Sequence, residues 1–294
     1  MTRRALVRLA AALSLPAFGQ APPDPFVCPM DRDVRQRGPG KCPRCGMKLV
    51  ADLPAHRDYR LSVATIPRLL RPGVQAVLRF TIRHPQTGAV VRDFELVHER
   101  IFHLFVVGDD LSFFAHEHPE RQPDGSFVLP LTLPSAGSYR VVADFFPAGG
   151  TPQFLTATLF TAGASLRPKP VLRPDSAAKH TPNLTVEMST QPAEPLAGQE
   201  TLLFFRLKPS DAIEQYLGAW GHMLVASDDL IDVIHDHPLY VDGVAPPDLK
   251  QPFPSQIQFN VIFPREASYR VWVQLQRKGV VNTAAFTVPV KALR

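Results

Sequence analysis

"HLFVVGDDLSFFAHEHPE", residues 103–120, decides how the rest of the chain is read. An apolar run, His103 to Val107, stops near Asp109-Asp110, and a second segment ends in His116-Glu117-His118-Pro119. Two aromatic and β-branched runs around turn residues predict a β-hairpin. The pattern returns over residues 222–239 as "HMLVASDDLIDVIHDHPL". His103, Asp109-Asp110, His116 and His118 map onto His222, Asp228-Asp229, His235 and His237 at a constant offset of 119. Later, Ser138-Tyr139-Arg140-Val141 maps onto Ser268-Tyr269-Arg270-Val271 at an offset of 130. The second copy therefore has a longer loop, most simply "YVDGVAPPDLKQPFPS".

Working outward, alternating apolar runs broken by turn signals fill residues 57–163 and again 182–294, the pattern of antiparallel all-β domains. The 31 prolines favour edges, turns and linkers over helix interiors. The expected fold class is mainly β, with a small Cys-rich module at 20–56 followed by two immunoglobulin-like antiparallel β-sandwich domains. A barrel is the alternative for each domain. Residues 164–181 have no periodicity and read as a linker.

Residues 1–19, "MTRRALVRLAAALSLPAFG", read as a secretory signal with cleavage near Gly19 or Ala21. An uncleaved anchor is the competing reading, though the apolar stretch is short for a span and contains Arg8. Removing Arg3, Arg4 and Arg8 with no acid leaves +2 of the formal +5, too little to point to nucleic acid or an anionic membrane. The expected location is periplasmic or secreted, with no membrane span once the signal is gone. Three cysteines in an oxidising compartment do not close a disulfide framework.

The histidine spacing carries a geometric expectation. A hairpin turning between Asp109 and Asp110 sets His103 opposite His116, with His118 on the same face; the second copy gives His222, His235 and His237. Three imidazoles from adjacent strands suit Cu(II), Cu(I) or Zn(II). His98 could add a fourth ligand in the first domain, where Leu217 stands in the second. Met223 alternates to the other face and is no ligand. The second histidine face also carries Leu224, Ala226, Ile231 and Val233. That equally fits histidines at the rim of a sandwich's inner face, hydrogen-bonded to loops.

The cysteine stretch is "FVCPMDRDVRQRGPGKCPRCGMKLV", Phe26 to Val50. Cys42-Pro-Arg-Cys45 is a metal knuckle, Cys28 could supply a third sulfur, and Met30 and Met47 offer thioethers suited to Cu(I). A Cys42–Cys45 disulfide with Cys28 free is the competing reading. The stretch resembles the heavy-metal-binding module found beside copper and silver efflux ATPases and on periplasmic efflux adaptors. Cys28-Pro29-Met30, Pro39-Gly40, Cys42-Pro43 and Cys45-Gly46-Met47 carry the match. The family's histidine after Cys-Pro-Met is Asp31 here, and its proline is Arg32, so a ligand is either lost or replaced by a carboxylate. The two β blocks resemble those of secreted bacterial proteins that place this module ahead of such domains.

Signatures of hydrolases, phosphate loops and dinucleotide folds are absent. The paired aspartates read as turn residues; Asp144 in "ADFFPAGGTPQ" could be a ligand or a turn residue, and the glycines after it favour the turn. The expectation is a non-enzymatic exported protein that binds, buffers or transfers copper, or zinc, with a metal-efflux or envelope protein as possible partner. An adaptor whose β-domains bind a protein is the alternative class, and a copper metalloenzyme a third.

Overall fold

The computed structural model describes residues 26–31, 34–51, 58–163, 171–242 and 254–293. The signal segment expected at 1–19 lies outside these residues, as does most of the long second-copy loop. Among the described residues no helix is long and apolar enough to cross a membrane.

Every regular element among the described residues is a strand. A small sheet joins β1 (Phe26–Val27), β2 (Arg35–Gln36) and β3 (Val50–Ala51) in the order β2-β1-β3. The first large domain contains β4 (Arg60–Ile66), β5 (Gln75–Arg83), β6 (Phe102–Gly108), β7 (Phe114–Glu117), β8 (Glu120–Arg121), β9 (Phe127–Thr132), β10 (Gly137–Phe145) and β11 (Gln153–Thr161). They form two sheets, β4-β5-β9-β8 and β11-β10-β6-β7. Leu78, Phe80, Phe127, Leu104, Val106 and Val141, drawn from both sheets, close one core.

The second domain repeats the plan. Its strands are β12 (Lys179–His180), β13 (Thr185–Gln191), β14 (Glu200–Lys208), β15 (Ile213–Glu214), β16 (His222–Ser227), β17 (Val233–Asp236), β18 (Tyr240–Val241), β19 (Gln256–Ile262), β20 (Ala267–Arg277) and β21 (Val280–Val290). One sheet runs β12-β13-β14-β19-β18; in the other, β20 pairs with β16 and with β21, and β17 flanks β16. Part of the stretch read as a linker is already docked: Asp175 bridges Thr287, and Lys179-His180 pair with β13.

In both copies a buried tyrosine on the long strand ties back to the chain four residues upstream. Tyr139 donates to the Ser135 carbonyl at 2.9 Å and Tyr269 to that of Arg265 at 3.1 Å. A tyrosine tied back in this way forms a tyrosine corner.

Two expectations need correction. His116 pairs with Phe105, not His103, and His235 with Leu224, not His222. The turn is a four-residue loop: Gly108 N–H bonds the Phe113 carbonyl, Leu111 sits at φ 57°, and the Asp110 carboxylate holds the Ser112 amide. The register shifts by two, so the faces are kept. The histidine face is also not the inner face of a sandwich. Every residue of β6 and β16 is buried, because alternate residues serve different cores. Leu104 and Val106 face the first core and Met223 and Val225 the second, while Phe105, Val107, Leu224 and Ala226 meet in a third, between the domains. There Phe105, Val107, Leu111 and Val142 pack against their own copies Leu224, Ala226, Leu230 and Trp272. The contact is self-complementary, like that of a two-fold dimer.

Candidate metal centre

The histidines gather at one end of this inter-domain face. His103, His116 and His118 place one nitrogen each within 4.8 Å of one another, and His222, His235 and His237 do the same. Nδ1 of His103 lies 3.3 Å from Nε2 of His116 and 3.2 Å from Nε2 of His118. Nδ1 of His222 lies 2.8 Å from Nε2 of His237. A tetrahedral ion with bonds of about 2.0–2.1 Å holds nitrogen ligands about 3.3 Å apart.

The outward hydrogen bonds fix where the protons are. His103 Nε2 donates to the Val97 carbonyl at 3.0 Å, and His222 Nε2 to that of Tyr216 at 2.8 Å. His116 Nδ1 donates to the Gln274 side-chain oxygen and His235 Nδ1 to the Asp144 carboxylate, each at 2.7 Å. The inward nitrogens of these four rings are therefore lone pairs. His103 and His116 point two lone pairs at each other with no proton to share, and His235 Nε2 is buried without a hydrogen-bond partner. Such nitrogens call for a cation, and a ring whose other N–H is held by a carbonyl or carboxylate is the usual form of a histidine ligand.

Burial keeps the rings neutral. Desolvation first, and neighbouring imidazoles second, push His103 down to about 4, His98 and His118 to about 3 and His116 to about 2. The same causes hold His222 and His237 well below the ordinary histidine range.

His98 stands apart from the first triad. It occupies a tight turn at φ 45°, stacks on His237 at 3.7 Å, and sets Nε2 2.8 Å from the Met30 sulfur of the cysteine module. Its copy Leu217 sits at φ 51° in the equivalent turn. Met30 thus packs against the cysteine cluster and also reaches the histidines through His98. Met47 lines a cavity of about 590 Å³ with Cys45, His98, Trp220 and His237. Met223 is in the second core, as alternation requires.

The three cysteines are unpaired, which sets aside the Cys42–Cys45 disulfide. Cys28, Cys42, Cys45 and Asp31 form a third ligand group, with Cys28 and Cys45 sulfurs 3.4 Å apart and the Asp31 carboxylate 3.3 Å from Cys42. Asp31 therefore places a carboxylate oxygen among the sulfurs, at the position where the resembled module has histidine. The Cys45 contact draws the Cys28 thiol down to about 7, whereas burial raises Cys42 to about 11, and Cys45, facing Cys28, is raised as well.

The sequence did not single out Gln274, and it offered Asp144 as a ligand or a turn residue, with the turn favoured. Asp144 instead lies within β10 and braces His235. A signal was available: at the offset of 130, Asp144 maps onto Gln274, and both side chains carry an acceptor oxygen.

A family model described as Domain of unknown function (DUF8832) matches residues 55–162 and 179–292, and one described as Heavy metal binding domain matches 26–51. Comparison with curated proteins gives no match. Among solved structures, a 1.5-MDa bacterial ice-binding adhesin is 10% identical with TM-score 0.27, covering 81% of this chain and 66% of that one. The Escherichia coli adhesin FdeC is 15% identical with TM-score 0.26, covering 83% and 67%. Three N-terminal domains of the bacteriophage RB49 outer capsid protein Hoc are 14% identical with TM-score 0.23, covering 79% and 59%. The chain spans about two thirds of the length of the two adhesin structures.

Proposed function

The chain belongs to the family described as Domain of unknown function (DUF8832), and on that premise we propose that it is an exported copper-binding protein of the cell envelope. In this reading it binds and buffers the ion rather than catalysing a reaction, and its two large domains are immunoglobulin-like sandwiches. One observation carries the metal reading: buried imidazole lone pairs converge with no proton between them, while their outward N–H groups are all engaged. Imidazole ligands suit copper and zinc, and the Cys28/Asp31/Cys42/Cys45 group adds a softer site for Cu(I) or zinc. The heavy metal binding domain supports metal binding at that end of the chain.

The test is elemental analysis of the full chain, purified without a metal-affinity tag after growth with added copper and zinc. Copper is expected, reduced by His116→Ala with His118→Ala and, separately, by Cys42→Ser with Cys45→Ser. Metal unaffected by the histidine pair would make the β-domains scaffold for the cysteine module. Absence of any metal would remove the reading.

A further inference from the structure

The two histidine triads are not separate pockets. His103 and His116 of the first domain face His222 and His235 of the second, with all four cross-domain ring separations between 5.4 and 6.2 Å. Within the domains the same rings lie 5.6 Å (His103–His116) and 6.2 Å (His222–His235) apart. Spacing across the boundary thus equals spacing inside each half. Phe105 packs on one ring of each half, at 4.2 Å from His116 and 4.7 Å from His235.

The bracing is exchanged between domains. His116 of the first domain is held by Gln274 of the second, and His235 of the second by Asp144 of the first. Asp144 and Gln274 are copies of each other, so the exchange obeys the same pseudo-two-fold relation as the apolar contact. A domain alone would keep three histidines but lose the acceptor that turns one of them inward.

Resting on the metal-binding reading above, we propose that the two triads are halves of one dinuclear centre, with Gln274 and Asp144 as positioning residues acting across the domain boundary. Two divalent ions this close repel, so the centre fills in two steps. The Asp144 carboxylate beside His235 offsets part of the charge of an ion bound there, so the His222/His235/His237 half fills first.

The probe is Cu(II), titrated into the full chain with Cys28, Cys42 and Cys45 replaced by serine, since free thiols would reduce it. The expected result is two equivalents bound in distinct steps, and a half-field electron paramagnetic resonance signal from a coupled pair at the second. His116→Ala with His118→Ala should remove the weaker step. Gln274→Leu should weaken that step at least about ten-fold and abolish the half-field signal, with Gln274→Glu, which keeps an acceptor, restoring both. Two equivalents with independent spectra, a single equivalent, or Gln274→Leu behaving as the parent would overturn the dinuclear centre while leaving metal binding intact. No binding would overturn the metal reading itself.

Discussion

Asp31 shows how one substitution is absorbed by its surroundings. Its backbone amide reaches the Cys28 sulfur at 3.3 Å, and its carboxylate lies 3.3 Å from Cys42 and 3.7 Å from Cys28. The side chain is also paired with Arg44 at 3.8 Å. A hard oxygen in place of a nitrogen shifts the site from Cu(I) toward zinc. Asp31→Ala should therefore lower zinc affinity at this site at least about ten-fold, and Asp31→His should recover it, both read by competition with a chromophoric chelator. Unchanged affinity in Asp31→Ala would place the carboxylate outside the ligand set. The cysteines were legible as candidate ligands because their spacing is itself the signal. For Asp31 the resemblance left two readings, a lost ligand or a carboxylate in its place, because a lone aspartate in a loop has no pattern of its own to choose between them.

At the scale of elements, the faces were legible and the register was not. Parity survives any loop of even length, so His103, His116 and His118 share a face whichever even loop joins β6 to β7. The exact pairing depends on Leu111 entering the left-handed region, which leucine rarely does and no propensity announces. Leu230 does the same in the second copy, so the turn is a property of the repeat. Burial of β6 on both faces was written in the unbroken apolar run from Leu104 to Val107, although the alternating pattern elsewhere drew attention from it. The tyrosine corner is a separable element of stability. Tyr139 is 1% exposed, and its hydroxyl also accepts from the Ser135 amide at 3.0 Å. Tyr139→Phe should cost about 1–2 kcal/mol in chemical denaturation, since it strands that amide and carbonyl, and leave metal content unchanged. A loss of metal in this variant would mean that the corner also sets the β6–β10 geometry that carries His103 and Asp144.

At the scale of the molecule, the domains are held by an apolar contact and by histidines, and the two respond to different variables. The metal-free protein carries buried imidazoles whose folded pKa values lie below the ordinary 6.5, near 4 for His103 and lower for His98, His116 and His118. The unfolded chain takes up those protons first, so stability present above pH 6.5 should be lost progressively as pH falls through about 6.5 to 4. Bound metal should hold the unfolding temperature up over the upper part of that window, and a flat profile in metal-free protein would show that the rings are not buried in solution. The apolar contact was beyond the sequence, because a repeat does not say whether its copies touch. Trp272 is its largest member, 3% exposed and stacked on Phe114 at 5.0 Å across the boundary. Truncating a buried tryptophan costs about 3–5 kcal/mol. Each domain keeps its own core when this contact is lost, since Trp272 belongs to neither. Trp272→Ala should therefore split one calorimetric transition into two rather than unfold the chain. Because Gln274 and Asp144 act only across the docked boundary, the same variant should weaken both histidine sites although it removes no ligand. Separated transitions with undiminished metal affinity would show that each triad is complete within its own domain.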